Sequence, residues 1–222
     1  MSNRNLYILS GIAIAAMLVS VRIVGGMLPD GTLLPVHWSV DGKPNGFADK
    51  WTALCLPPLL TLLLTLVAAA ANRVEPMQAS LTKSRGLIQV VWLGLVGLMG
   101  VIQLMVVGAA LHWSVPMGRV LVGALGLFFM LLGNQLGKSR RMYLVGIRTP
   151  WTLANEDVWI ATHRLGGKLM VLAGLVWALA AAANWVNLLT FPILILAMGI
   201  ASLVPVVYSY LLWRRLPRDP AA

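Results

Sequence analysis

Acidic residues are scarce in this chain. Seven Asp and Glu stand against seventeen Lys and Arg, and charged residues of both signs make up 11% of the 222 residues, where a soluble domain carries about 25%. No acid falls inside a long apolar run. That speaks against a proton-coupled transporter, which buries acids or histidines along its path. One cysteine, Cys55, excludes an internal disulfide and says little about redox compartment. No nucleophile elbow and no His-Glu-x-x-His zinc helix occurs, so an enzyme is not expected. A cleavable leader is not expected either: the first apolar run starts at Leu6 after Arg4 alone and is too long for a signal h-region.

What is abundant is apolar surface. Hydrophobic residues reach 59% and the mean hydropathy is +0.83, the composition of an integral membrane protein. The net charge of +10 is gathered at the ends of apolar stretches. It is therefore read as an orientation signal and not as direct nucleic-acid binding.

A span needs about 20 mostly apolar residues. Leu6 to Leu28 and Trp51 to Asn72 each supply one. The run from Gly86 to Gly118 is too long for a single span, and His112-Trp113-Ser114-Val115-Pro116 divides it into Leu87–Leu111 and Pro116–Gly137. Leu169 to Trp213 holds two more, with the turn at Asn184 to Asn187. The expected fold is all-α, with six transmembrane helices. Two regions are expected: residues 1–72, a helix pair with an outer loop, and residues 73–222, a four-helix region.

With both termini placed in the cytoplasm, thirteen of the seventeen basic residues fall on that side, and Arg22, Lys43, Lys50 and Arg119 fall on the other. That is a strong positive-inside signal. Close helix contacts are expected at small residues, among them Gly94, Gly97, Gly100, Gly123, Gly126 and the Gly133-x-x-x-Gly137 pair.

The outer loop is expected to be compact. It contains Pro35, His37, Trp38, Asp41, Gly42, Pro44 and Asn45, and its Asp-Gly and Pro-Asn-Gly steps are turn chemistry. These residues are candidates for a binding surface. His37 and Asp41, with His112, would suit a metal only weakly, because tight multi-ligand spacing is missing; interfacial anchoring by His37 and Trp38 is the favoured reading, and no metal or cofactor is assigned. His37-Trp38-Ser39-Val40 recurs at His112–Val115, by duplication or by chance. Arg22 either snorkels to the headgroups or pairs with Asp30 or Asp41.

The inner loop between the fourth and fifth spans is the most unusual segment. Gly133-Asn134-Gln135-Leu136-Gly137-Lys138-Ser139 falls one residue short of a phosphate-binding loop and follows a membrane helix instead of a strand, so nucleotide binding is rejected. Asn134 and Gln135 are expected to hydrogen-bond between helices. Thr149 precedes a proline and is therefore extended, which holds Arg148 on a stiff segment. Thr152 or Asn155 is expected to cap an amphipathic helix lying on the membrane surface, with Glu156 and Asp157 in its first turn and His163, Arg164 and Lys168 toward its end.

Asn134, then Gly146-Ile147-Arg148-Thr149-Pro150-Trp151-Thr152, then Trp159, His163 and Arg164 resemble the signature of the SdpI-like family of bacterial membrane immunity proteins. The outer Pro35-x-His37-Trp38 with Gly42-x-Pro44 resembles a domain of unknown function that often precedes it. Two positions depart from the pattern: Met142 stands where an asparagine is common, and Asn45 where an aspartate is common.

The resemblance implies a multi-pass protein of the bacterial inner membrane that protects against a secreted, membrane-active peptide toxin. It also implies signalling, by holding a cytoplasmic winged-helix repressor at the membrane. From another class, Arg148 and Trp151 would serve a lipid-handling protein or small transporter by engaging a lipid phosphate at the inner surface. The toxin, the regulator and the oligomeric state are not legible in the sequence.

Overall fold

The computed structural model describes residues 2–39 and 43–216. Among them are six helices long and apolar enough to cross a membrane: α1 (Asn3–Met27), α2 (Lys50–Val74), α4 (Arg85–Ala110), α5 (Met117–Leu136), α7 (Glu156–Ala182) and α8 (Phe191–Arg214). A short α3 (Gln78–Lys83) links α2 to α4, and a five-residue α6 (Pro150–Ala154) precedes α7. Two strands, β1 (Leu33–Trp38) and β2 (Pro44–Asp49), form an antiparallel hairpin between α1 and α2. The chain is a multi-pass helical membrane protein. Large apolar side chains such as Ile12, Leu59, Leu104, Leu172 and Leu203 face outward from the bundle, as lipid requires.

The helices alternate in direction, so the molecule has two ends. The hairpin end carries β1 and β2 and the turns near residues 112 and 185. The loop end carries α3, α6 and residues 137–149.

Four helices, α1, α2, α6 and α7, start where a side chain accepts from the first free N–H groups. Asp49 accepts from Trp51 and Thr52 at the start of α2, and Asn155 from Asp157 and Val158 at the start of α7. The capping residue of α7 is thus Asn155. The amphipathic segment forms the first turns of α7 and runs without a break into the span. Thr149, one residue before a proline, caps α6 in a reciprocal box with Thr152.

The tightest helix pair is α5 with α7. A Cβ added to Gly133 would lie 2.6 Å from the Gly167 carbonyl oxygen, and one added to Gly126 would lie 2.7 Å from that of Gly174. Backbones this close give van der Waals contact where no hydrophobic force between helices exists. Gly137, on the same face of α5, packs against Arg164.

Elsewhere side-chain hydrogen bonds join the helices. Trp92 of α4 donates to Ser10 of α1 at 3.0 Å, and Gln103 of α4 donates to Ser20 of α1 at 2.9 Å.

Candidate functional site

At the hairpin end, β1 and β2 make the expected compact structure. Pro35 is buried and Trp38 packs against the cluster formed by Val21, Val24, Val106 and Ala110. His37 is exposed, and its Nδ1 donates to the Asn45 side-chain oxygen at 2.5 Å across the hairpin. Asn45 therefore supplies the acceptor for His37 across the hairpin. Pro44 begins β2. Asp41 and Gly42 lie outside the described residues.

The hairpin is fixed to the bundle by Lys50, a nearly buried residue. Its Nζ donates to the Leu28 carbonyl at 2.6 Å and to Asp30 at 2.8 Å. It also lies 5.2 Å from the centre of the Trp51 ring. The Lys50 hydrogen bond and charge hold the Asp30 carboxyl below the usual carboxylate range. The partner of Asp30 is thus Lys50, whereas Arg22 is exposed and unpaired with it. Among the described residues, no group of three His, Cys, Asp or Glu could hold a metal ion. The two His-Trp-Ser copies have different backbones: the first is strand, while His112 follows α4 at a φ of +54°.

The loop end is built around His163, which is fully buried on α7. Its Nδ1 lies 2.8 Å from the Trp159 carbonyl oxygen one turn back, and its Nε2 lies 2.9 Å from the Ile147 backbone nitrogen. An amide N–H can only donate and a carbonyl can only accept. The ring is therefore neutral, with its proton on Nδ1. It stacks on Trp159, with centroids 3.9 Å apart and planes 16° apart. Gly146 passes over this pair at a φ of +136°. A Cβ there would lie 2.6 Å from His163 Nε2, so this position needs glycine for both backbone and space.

The threonines complete the loop. The Thr152 hydroxyl donates to the Ile147 carbonyl at 2.8 Å, and Trp151 Nε1 donates to Ser209 of α8. Trp151 also packs beside Tyr210 and Trp213. It is thus anchored to α8 and half-buried. Arg148 is exposed and reaches the Tyr143 carbonyl at 2.5 Å. Asn134 and Arg164 are exposed as well. Asn134 makes no side-chain bond to another described helix, contrary to the role expected for it. Six motif residues, Gly146, Ile147, Thr149, Thr152, Trp159 and His163, thus hold the loop together, while Arg148 remains on its outside.

Three residues outside the motif dock this loop onto α3 and α4. Glu75 is buried, and its carboxylate accepts from the Tyr143 N–H at 3.0 Å and the Met77 N–H at 3.1 Å. The Ser84 hydroxyl accepts from the Arg140 N–H at 2.8 Å. Met142 is fully buried against Ile88 and Trp159, so an apolar side chain at this departure from the family pattern fills core space. Glu75 carried one usable sequence signal: it is the only acid between Asp49 and Glu156.

Fold and loop together define a six-helix membrane protein with an ordered connection between its fourth and fifth spans. Residues 138–209 match the SdpI/YfhL protein family, and residues 11–62 match a domain of unknown function, DUF1648. The chain is 24% identical over 177 residues to the immunity protein SdpI of Bacillus subtilis (strain 168), covering 79% of this chain and 83% of that one. The SdpI-like resemblance is thus shown by both comparisons. No solved structure matches the chain.

Proposed function

We propose that this protein is a non-enzymatic immunity protein of the bacterial inner membrane, protecting its host from a membrane-active peptide toxin. The observation that carries this reading is the similarity to an immunity protein across most of both chains. The distribution of basic residues supports cytoplasmic termini. The hairpin then faces outward, where a secreted peptide arrives, and the Arg148 loop faces the cytoplasm.

On this reading His37, Trp38 and Asn45 form the rigid edge that meets the peptide. The hydrogen bond between His37 and Asn45 holds that edge in one conformation, which lowers the ordering cost of binding. At the other end, the exposed Arg148 and Tyr143 would receive a cytoplasmic repressor. Arg148 has donors beyond the one spent on Tyr143, and those suit a carboxylate on a partner.

The test is survival of a sensitive strain challenged with such a peptide, with and without this protein at verified membrane levels. Protection by the wild type, lost in His37→Ala, is expected. Absence of protection at full expression would reject the reading.

A further inference from the structure

Three cations and an amide share one groove at the loop end of α5 and α7. Asn134 lies near the end of α5, Lys138 just beyond it, and Arg164 and Lys168 one turn apart on α7. All four are exposed. None has a side-chain hydrogen bond or ion pair with another described residue. Glu156 is turned toward Arg141, 3.8 Å away. Asp157 sits at the start of α7, about 10 Å along the helix from Arg164. This concentration of positive charge therefore has no internal counter-charge among the described residues.

The shape of the groove follows from the glycine contact. Gly133 and Gly167 bring the two backbones together and leave no side chain between them. The result is an open groove of about 570 Å³. Its floor runs from the cations toward the bilayer over Val171 and Leu172. Its lining is polar at Asn134, Lys138, Arg164 and Lys168 and apolar at Val171 and Leu172. The carbonyl end of α5 opposes an anion there by about half a charge, and three full cations outweigh it.

We propose that this groove binds an anionic phospholipid. Its phosphate lies among Lys138, Arg164 and Lys168, with the planar fork of Arg164 matching two phosphate oxygens, and Asn134 donates to the headgroup. The acyl chains lie over Val171 and Leu172. Basic pockets between spans at the membrane surface recognise anionic headgroups by this chemistry. The site is separate from the hairpin edge and from Arg148, and it stands or falls independently of the immunity reading.

The test is native mass spectrometry of the purified full chain with dioleoylphosphatidylglycerol or dioleoylphosphatidylcholine. Retention of phosphatidylglycerol should exceed that of phosphatidylcholine by about tenfold. The preference should vanish in K138Q/R164Q/K168Q and survive in K138R/R164K/K168R. Removing three charges elsewhere at the same end, in R140Q/R148Q/R215Q, should leave it intact.

A footprint on the wild-type protein covers the case of a misfolded variant. Vesicles containing phosphatidylglycerol should protect Lys138 and Lys168, but not Lys83, from an amine-acylating reagent, relative to phosphatidylcholine vesicles. Equal retention of the two lipids, a preference that survives the glutamine variant, or unchanged footprints would overturn the proposal. So would displacement of the lipid by excess inorganic phosphate, which would mark a site for free anions.

Discussion

The Nε2 of His163 accepts the backbone N–H of Ile147 at 2.9 Å, across sixteen residues of sequence. This bond ties the Gly-Ile-Arg segment to α7 and fixes which ring nitrogen carries the proton. The ring itself is fully buried between Trp159 and Gly146.

His163→Phe keeps the ring stack and removes the acceptor. The Ile147 N–H is part-buried, so losing its partner costs no more than the loss at a fully buried group, about 1–3 kcal/mol. Hydrogen exchange at Ile147 and its neighbours should quicken while the spans remain protected. Unchanged exchange at Ile147 would show that the bond does not hold the loop.

Glu75 makes a second test of the same loop. Glu75→Ala strips the Tyr143 and Met77 N–H groups of a charged acceptor, which is worth about 1.5–3 kcal/mol for bonds of this kind. Glu75→Gln keeps one acceptor oxygen and should be milder. Thermal unfolding in detergent that ranks wild type, then Gln, then Ala is the expected order. Equal midpoints for the two variants would contradict it.

Gly133→Leu should separate α5 from α7, because even a Cβ at this position meets the Gly167 carbonyl oxygen at 2.6 Å. The expected outcome is loss of folded protein from the membrane fraction. Gly97→Leu is the control, since nothing lies within 4 Å of a Cβ there, and it should accumulate normally.

The pairing of Lys50 with Asp30 has a defined pH dependence. Asp30 titrates below its ordinary value of 3.8 because the Lys50 hydrogen bond and charge favour its ionised form. The contribution of the pair is therefore fully present above the unfolded value and is lost as pH falls through the lowered one. Wild type and Asp30→Asn should differ in thermal midpoint at neutral pH and converge only in strong acid. A difference that disappears well above pH 3.8 would contradict the assignment.

The spans were legible in the sequence because long runs without charge admit few other structures. Their edges moved by a few residues, since caps such as Asp49 and Asn155 set them. The outer segment is ordered, as its composition suggested, but the Pro44-Asn45-Gly46 step read as a turn is the start of β2, and Asp41-Gly42 lies outside the described residues. The interior of the inner loop was not legible. Thr149 read only as an extended residue before a proline, and it also caps α6 in a box with Thr152; of Thr152 and Asn155, Asn155 caps α7. His163, however, has its partner sixteen residues away, and Glu75 docks a backbone segment sixty-eight residues away. Periodicity and spacing carry no record of such pairings. Asn134, Lys138, Arg164 and Lys168 were each visible as polar residues at a membrane edge. Their convergence depends on the glycine contact between α5 and α7.

The central claim is protection, and the direct measurement is the minimum toxic concentration of a membrane-active peptide for a sensitive strain expressing this protein. Wild type should raise that concentration, Cys55→Ser should match it, and His37→Ala should return it toward the empty-vector value at equal membrane abundance. A wild-type protein that reaches the membrane and leaves the toxic concentration unchanged would contradict the account.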